Sequence, residues 1–214
     1  MNTTLRDIRR DYAGEPLPAD LTGFDPWAFL DGWLADALAA QEPEPTAMTV
    51  STVGVDGRPR SRVLLLKDAG PAGLTFFSHY DSPKGEELAA TPAAAVNLLW
   101  PTLMRQVRAV GAVERLTERE NEDYFRSRPR ASQIGAWASH QSRPLGSREE
   151  LAAAVEAAAR RFADDAEVPC PPSWGGYRVL VDEIEFWQGQ ASRLNDRVSC
   201  RRLADGWHVT RLQP

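Results

Sequence analysis

Hydrophobic residues near the start of the chain recur at helical spacing. A short amphipathic helix is predicted over residues 4–12. A wider apolar stripe predicts a second helix over Pro26–Gln41, with Asp25 as its N-cap and a proline in its first turn. The sequence Glu42–Pro45 then ends the helical pattern. We therefore expect residues 1–45 to form an N-terminal helical arm.

Strand-like patterns dominate the remainder of the chain, from residue 46 to residue 214. Eight segments carry them: Ala47–Val53, Arg60–Lys67, Leu74–His79, Ala93–Trp100, Leu103–Leu116, Tyr177–Gln188, Arg197–Leu203 and Trp207–Leu212. Asp56-Gly57 and Asp205-Gly206 suit hairpin turns that need a positive φ. Strands this short and closely spaced favour an antiparallel barrel or sandwich over a parallel doubly wound sheet.

Helical patterns interrupt these strands. Four helices are predicted there: Pro83–Ala90, 118–127, Ser132–Ser139 and 148–165. Two of them follow capping-box signatures, Thr117–Glu120 and Ser147–Glu150. The pattern as a whole predicts one α+β domain, barrel-like, with its helices on the outside.

The composition narrows the classes of partner. A net charge of −5 on 214 residues, with 43% hydrophobic residues, is typical of a globular protein and argues against a nucleic-acid binder. The longest run of large aliphatic residues, Val63–Leu66, falls far short of the ~20 residues of a membrane helix. The first ten residues carry charges and lack the apolar stretch of a secretory signal. We therefore expect a cytoplasmic protein with no membrane partner.

Thiols and imidazoles are few and scattered. Cys170 and Cys200 show no CxxC spacing, so reduced thiols are expected, with a single disulfide as the alternative. His79, His140 and His208 lack the i, i+4 spacing of paired zinc ligands, and no GxSxG elbow is present. We expect no metal site, and an enzyme with this sequence would take its chemistry from an organic cofactor.

Cations flank an apolar strand and open a helix in the first half of the chain. Arg62 and Lys67 bracket the run VLLL, and their odd spacing places them on opposite faces of an ideal strand. Ser82 and Lys84 stand at the start of a predicted helix, where free N–H groups and a positive charge attract a phosphate. An ordinary N-cap beside a solvated lysine is the alternative.

A second candidate phosphate site lies in the helical region. Tyr124, Arg128 and Ser132 occur at four-residue spacing, and a phenol, a guanidinium and a hydroxyl suit a phosphomonoester. Pro129 interrupts the helix between them. A solvated basic helix end is an equally good interpretation.

Two further features suit a planar ligand. Gln106 lies in an otherwise apolar strand, where its amide could pair with a carbonyl and an N–H of a heteroaromatic ring. Trp187 is followed by Arg193 and Arg197, which set two cations near a large planar group. An outward-facing polar residue and a core tryptophan are the alternatives.

Ten short motifs occur in one order along nearly the whole chain. They are RRDY (9–12), SRVLLLK (61–67), SPKGEEL (82–88), RQVRAVG (105–111), YFRSRP (124–129), SQIGAWAS (132–139), QSRP (141–144), WGGY (174–177), EFWQG (185–189) and RLNDR (193–197), closed by RLQP. In this order they resemble the pyridoxine/pyridoxamine 5′-phosphate oxidase family. The resemblance implies an α+β fold with an antiparallel split β-barrel (the FMN-binding split barrel), peripheral helices, and a homodimer with FMN at its interface.

The resemblance also implies the residues of both binding sites. FMN would be held by Arg62, Val63, Leu64, Leu65, Leu66, Lys67, Phe77, Ser78, Ser82, Lys84, Gln106, Gln141, Ser142, Trp187 and Arg197. The substrate would be bound by Lys67, Tyr124, Arg128, Ser132, Arg193 and Asn195, under a mobile lid of Arg9, Arg10, Asp11 and Tyr12. The catalytic pair would be Arg193 and Asn195, over the pyridine ring.

The implied reaction converts pyridoxine 5′-phosphate or pyridoxamine 5′-phosphate to pyridoxal 5′-phosphate. The family transfers a hydride to flavin N5, and O2 then takes the electrons to give H2O2. The protein would supply orientation, exclusion of water and electrostatics.

Three positions depart from the family pattern. Asn195 replaces a histidine in RLNDR, so that position cannot carry a charge near neutral pH. Pro83 stands where a basic residue is usual, and Phe77-Ser78 replaces a tyrosine-threonine pair. Two alternatives therefore stay open: a related flavin oxidase of the phenazine-biosynthesis type, and a non-catalytic flavin-binding protein on the same fold.

Overall fold

The structure, a computed structural model, describes residues 11–214. Arg9 and Arg10, with most of the helix predicted over residues 4–12, lie outside the described residues. No helix in the described part of the chain is long and apolar enough to cross a membrane. Within residues 11–214, no group of His, Cys, Asp or Glu side chains is arranged to hold a metal ion.

The described residues form one antiparallel sheet of nine strands. The strands are β1 (Ala47–Val53), β2 (Pro59–Leu65), β3 (Asp68–Gly70), β4 (Gly73–His79), β5 (Ala93–Trp100), β6 (Arg105–Arg115), β7 (Trp174–Gln188), β8 (Asp196–Leu203) and β9 (Gly206–Leu212). Their order is β2-β1-β5-β6-β7-β4-β3, and β8 and β9 extend the sheet beside the second half of β7. The eight predicted strands are confirmed. The three-residue β3 was missed because it is too short to show an alternating pattern.

The sheet closes on itself where the chain passes from β2 to β3. Leu66 N donates to Thr46 O beside β1, and Lys67 N donates to Thr75 O of β4, each at 2.8 Å. The link thus joins both ends of the strand order and makes a barrel. Lys67 lies past the end of β2 and is exposed, so the prediction that Arg62 and Lys67 occupy opposite faces of one strand is wrong.

Five α-helices lie outside the barrel in the described part of the chain. They are α1 (Pro26–Ala39), α2 (Pro83–Ala90), α3 (Glu118–Ser127), α4 (Arg130–Ala138) and α5 (Arg148–Arg161). All five were predicted. The predicted end of α5 at residue 165 is wrong, because Phe162 leaves helical geometry and its side chain turns into the core.

The two predicted capping boxes differ. At the start of α3, Thr117 accepts from Glu120 N, and the Glu120 carboxylate accepts from Thr117 N in return. At the start of α5, Ser147 accepts from Glu150 N at 3.1 Å, but the Glu150 carboxylate accepts from Gly146 N instead. Only α3 therefore has the complete reciprocal cap.

Two hydrophobic cores hold these elements. The barrel core contains Leu98 and Phe186 and extends to α1, whose Trp33 packs edge-on against Phe186 at 5.4 Å. A smaller core joins α3, α4 and α5 to the start of β7 around Phe125 and Trp174. The helix α1 therefore shares the core of the barrel. The domain boundary expected at residue 45 stays a prediction.

The outer side of the sheet leaves a group of large apolar side chains exposed. Alternate residues of each strand point inward, and the outward positions include Val63 (64% exposed), Leu65, Leu99 (54%) and Val110 (51%). We call these four residues the open sheet face. Several large apolar side chains exposed on one side of a sheet are a common feature of protein interfaces.

Candidate active site

The start of α2 brings four of the predicted cofactor residues together. Ser82 caps the helix, since its Oγ accepts from Gly85 N. Lys84 Nζ lies 3.0 Å from Ser82 Oγ and also contacts Gln141 Oε1, which accepts from Ser78 Oγ at 3.1 Å. We call Ser78, Ser82, Lys84 and Gln141 the α2 cluster.

Close packing of the backbone fixes where α2 begins. A Cβ atom on Gly85 would lie 2.1 Å from Tyr80 O, so only glycine lets the first helical turn approach this loop. The tight turn places Ser82 and Lys84 beside β4. The position of the α2 cluster therefore depends on the backbone packing at Gly85 as well as on the contacts between its side chains.

Lys84 is a buried cation without an acidic partner. Its exposed fraction is 7%, and no carboxylate in the described residues lies within ion-pair distance of its ammonium group. Burial, with the positive charge of Arg62, lowers the pKa of Lys84 to about 8, although the negative charges of Glu87 and Asp81 oppose this shift. A bound anion would favour the charged form of Lys84.

Arg62 lies on β2 beneath α2. Its Nη1 donates to Thr52 Oγ1 at 2.6 Å and to Val50 O at 3.3 Å, and its Nη2 donates to Glu87 Oε2 at 3.0 Å. The positive charge of Arg62 acts on Lys84 as well. The cation predicted for the cofactor phosphate thus lies close to the α2 cluster.

Three other predicted cofactor residues form a separate group on the outer side of the sheet. Gln106 is paired in register with Trp187, and Trp187 with Arg197, across β6, β7 and β8. The Tyr12 ring packs edge-on against Trp187 at 5.9 Å. Gln106 on β6 is three strand spacings from β2, roughly 14 Å across the sheet, and Trp187 and Arg197 lie one and two strands further along. One chain therefore presents the predicted cofactor residues in two places.

Arg197 is fixed by a buried acid. Its Nε and Nη2 donate to the Glu185 carboxylate at 2.9 and 3.1 Å, and Arg108 also contacts that carboxylate. Burial alone would raise the pKa of Glu185, but the hydrogen bonds from Arg197 and Arg108 outweigh it and hold that pKa below its ordinary value. Glu185 is thus ionised and orients Arg197.

The predicted catalytic pair lies on the loop that follows β7. Asn195 Oδ1 accepts a hydrogen bond from Gln190 N at 3.1 Å, which spans the loop. Arg193 is exposed, and both Ser192 and Arg193 adopt left-handed backbone geometry, with φ of 57° and 61°. The asparagine therefore stabilises a strained loop that presents Arg193 to solvent.

The predicted substrate phosphate group occupies two helices. Tyr124 lies in α3, Arg128 caps its end and Ser132 follows in α4, so the three residues do not share the face of one helix. Pro129 ends the first helix, since it cannot continue the hydrogen bonding. The interruption expected at Pro129 is therefore present, and it divides the three residues between two helices.

Arg128 is oriented by aromatic rings. Phe77 stacks on Tyr124 and on Trp174, with ring centroids 3.8 and 5.3 Å away, and the Tyr124 and Trp174 rings are 6.2 Å apart. The Arg128 guanidinium lies 4.6 Å above the Trp174 ring, and its Nη1 is buried without a hydrogen-bond partner in the described residues. Burial lowers the pKa of Arg128 from its usual value. A buried, unpaired guanidinium is a favourable place for an anion.

The remaining predicted residues of the two binding sites differ in their exposure to solvent. Val63 and Leu65 belong to the open sheet face, whereas Leu64 is half-buried and Leu66 is buried. Asp11 and Ser142 are exposed.

Four residues that the sequence analysis did not assign support the predicted ones. They are Thr52 and Glu87 beside Arg62, Trp174 beneath Arg128, and Glu185 beside Arg197. Glu87, Trp174 and Glu185 fall inside quoted motifs. Glu87 follows Lys84 by three positions, which places both near the same side of a helix.

Two family profiles match most of the chain. The family described as "Pyridoxamine 5'-phosphate oxidase" matches residues 34–161. The family described as "Pyridoxine 5'-phosphate oxidase C-terminal dimerisation region" matches residues 174–214. A curated relative from Pseudomonas putida (strain W619), named pyridoxine/pyridoxamine 5′-phosphate oxidase, is 48% identical over 216 residues, and the match covers 100% of both chains.

Solved structures show the same architecture. PhzG from Burkholderia lata 383, determined in complex with tetrahydrophenazine-1-carboxylic acid, has a TM-score of 0.86 at 34% identity, covering 94% of this chain and 100% of that one. A pyridoxamine 5′-phosphate oxidase-related, FMN-binding protein from Nostoc punctiforme PCC 73102 has a TM-score of 0.71 at 14% identity, covering 89% and 98%, a likeness of fold alone. The predicted α+β split-barrel fold is confirmed.

Proposed function

Because this chain belongs to the pyridoxamine 5′-phosphate oxidase family, we propose that it binds FMN and oxidises pyridoxine 5′-phosphate and pyridoxamine 5′-phosphate to pyridoxal 5′-phosphate. When bound, FMN would supply the hydride acceptor at N5, and O2 would be the final acceptor of the two electrons, giving H2O2. The residues of this chain would bind, orient and desolvate the two reactants.

The residues near α2 fit the FMN phosphate. Lys84 has only neutral partners among the described residues, and Arg62 is close enough to depress its pKa. Two neighbouring cations at the N-terminus of a helix suit a phosphate dianion. Ser82 would add a hydroxyl to the same anion.

A second anion site, at Arg128, is the observation that supports a phosphorylated substrate. Arg128 keeps a buried Nη1 unpartnered in the described residues while Trp174 fixes its plane. FMN and a vitamin B6 phosphate each carry one phosphate, and the chain offers a cation for each. Phe77-Ser78 of β4 connects the two sites, since Phe77 stacks on Tyr124 and Ser78 belongs to the α2 cluster.

A homodimer would complete the cofactor site. The match to the C-terminal dimerisation region supports a dimer. Gln106, Trp187 and Arg197 lie on the same outer side as the open sheet face. In the proposed dimer this group meets the flavin held at α2 of the partner, with Arg193 and Asn195 on the adjacent loop over the substrate ring.

Anaerobic flavin reduction tests the proposal directly. The protein loaded with FMN is mixed with pyridoxamine 5′-phosphate without O2, and the visible flavin absorbance is followed. We expect prompt bleaching that returns when air is admitted, together with H2O2 in the aerated sample. Flavin that stays oxidised with both B6 phosphates would contradict the assigned substrate.

Arg128→Ala in the same assay tests the substrate site. Loss of a charge-assisted hydrogen bond should raise the substrate concentration for half-maximal reduction about 10- to 100-fold. Arg126→Ala is the matched control, since Arg126 lies two residues before Arg128, in the last turn of α3, but is exposed and pairs with Asp123. Equal effects of the two variants would count against a phosphate at Arg128.

A phenazine-type oxidase is the second candidate. Asn195 in place of the family histidine and the likeness to PhzG favour it. A guanidinium binds a carboxylate as well as a phosphate, so Arg128 is compatible with both substrates. Bleaching by a reduced phenazine carboxylate but not by a B6 phosphate would favour this candidate. No bleaching by either would favour a flavin-binding protein without oxidase activity.

A further inference from the structure

A buried carboxylate lies beside the cofactor-phosphate cations. Glu87 of α2 is 3% exposed, and its Oε2 accepts from Thr52 Oγ1 and from Arg62 Nη2. Its Oε1 lies 3.4 Å from Arg60 Nη1. A carboxylate in an anion-binding site repels the anion and lowers its affinity. Glu87 must therefore have a favourable role that outweighs this repulsion.

The hydrogen bonds of Arg62 show what that role is. Its Nη1 is used by Thr52 Oγ1 and Val50 O, and one N–H of Nη2 is used by Glu87. A guanidinium has five N–H donors in a rigid plane. The Nε–H and the second Nη2–H therefore remain without a partner in the described residues, and these donors suit a bidentate phosphate contact.

Thr52 and Glu87 also bind each other, which fixes the orientation of the guanidinium. Thr52 is 2% exposed, and its hydroxyl accepts from Arg62 while donating to Glu87. Burial alone would raise the pKa of Glu87, but the hydrogen bonds from Thr52 and Arg62 and the charges of Arg62 and Arg60 hold that pKa below its ordinary value. The carboxylate is therefore charged and remains bound to Arg62.

We propose that Glu87, together with Thr52, is the positioning residue of the cofactor site: it binds one end of the Arg62 guanidinium so that the remaining N–H edge faces the FMN phosphate. The role rests on the proposed placement of that phosphate at Arg62 and Lys84. Glu87 itself does not touch the cofactor in this assignment. Its effect passes through the orientation of Arg62.

The affinities of FMN and riboflavin for the flavin-free full chain test this role, because the two flavins differ only by the phosphate. Quenching of flavin fluorescence gives both dissociation constants. We expect Glu87→Leu to raise the Kd for FMN about 10-fold and to leave the Kd for riboflavin unchanged, since the loss of a charged hydrogen bond to the phosphate outweighs the loss of the repulsion from Glu87. Glu87→Gln keeps an oxygen acceptor for Arg62 and should restore the Kd for FMN to within about threefold of the parent chain.

The matched control is Glu86→Leu. Glu86 is the preceding residue of α2, is exposed and contacts Arg143, so its loss should leave both dissociation constants unchanged. An equal rise for FMN and riboflavin in Glu87→Leu would overturn the positioning role, and so would an equal effect of the Glu86 variant. If Glu87→Leu does not fold, Thr52→Val tests the role instead. We expect this variant to raise the Kd for FMN about threefold and to leave the Kd for riboflavin unchanged. An unchanged Kd for FMN would overturn the positioning role.

Arg62→Ala separates this inference from the proposed cofactor site. If that variant binds FMN as tightly as the parent chain, the phosphate is not held at Arg62 and the proposed placement fails. If Arg62→Ala weakens FMN binding but Glu87→Leu does not, the placement stands and only the positioning role fails.

Discussion

At the residue scale, the charge of the Lys84 side chain affects how strongly the start of α2 binds an anion. Burial deprives its ammonium group of water, and the nearby Arg62 adds repulsion, so the pKa of Lys84 falls to about 8. A phosphate beside it would reverse the shift by favouring the charged form. Anion binding and protonation of Lys84 are therefore linked.

We expect FMN affinity to fall as the pH rises above about 8. In the flavin-free protein Lys84 is mostly charged below that pH and mostly neutral above it, so binding at higher pH must include uptake of a proton. The Kd for FMN should rise by up to about 10-fold per pH unit above 8. Fluorescence titrations between pH 6.5 and 9.5 measure this slope, and the second phosphate ionisation, near pH 6, does not interfere there.

Lys84→Arg provides the control, because a guanidinium stays charged across this range. Its Kd for FMN should be flat, as should the Kd of the parent chain for riboflavin. A pH slope in Lys84→Arg as steep as that of the parent chain would assign the titration to another group.

At the scale of elements, the cap of α3 links stability to the candidate substrate site. The helix contains Tyr124, and Arg128 is the capping residue after its last turn. Its reciprocal capping box is reinforced by Arg178 of β7, which binds Glu120 Oε1 at 2.6 Å. Hydrogen bonds from Thr117 and Arg178 lower the pKa of Glu120 to about 2, so the box stays intact through mild acid.

Thr117→Ala should lower the free energy of unfolding by about 1 kcal/mol, the usual cost of losing a threonine cap. Urea denaturation at pH 7 measures the change. Ser147→Ala at the start of α5 is the comparison, and it should cost less because that cap lacks the reciprocal bond. A larger loss in Ser147→Ala than in Thr117→Ala would contradict this ranking.

At the scale of the whole molecule, the open sheet face and the divided cofactor residues have one explanation. Each chain presents Arg62 and Lys84 near α2, but presents Gln106 three strand spacings from β2 and Trp187 four, on the outer side. Two chains that cover their exposed apolar residues against each other can join the two groups. The match to a dimerisation region supports a dimer.

Leu99→Glu should separate the dimer and weaken FMN binding together. Leu99 is exposed in the single chain and is paired in register with Gln106, so a carboxylate there would be buried without a partner in the dimer. We expect the dimer dissociation constant to rise at least about 10-fold. Sedimentation velocity and FMN titration of the same sample measure both effects.

Leu38→Glu is the matched control, since Leu38 is 63% exposed on α1 and is not part of the open sheet face. It should leave both the dimer and the FMN affinity unchanged. A Leu99→Glu chain that is monomeric yet binds FMN as tightly as the parent chain would show that one chain holds the cofactor alone.

The sequence by itself determined the elements and the family. Alternating burial along β1 and β5, the turn at Asp56-Gly57 and the caps of α2 and α3 are local features, and each was predictable because short-range sterics and hydrogen bonding fix it. The order of the motifs carried the fold and the candidate site residues. Local pattern failed at β3, which is too short, and at the end of α5.

Only the tertiary structure decided which of those residues meet. Glu87 reaches Arg62 because α2 covers the end of the β1–β2 hairpin, and Trp174 lies beneath Arg128 because β7 packs against α3. The barrel places Gln106 and Trp187 on a different face from Lys84. Contacts between residues far apart in sequence depend on how strands and helices pack, and spacing along the chain does not contain that information.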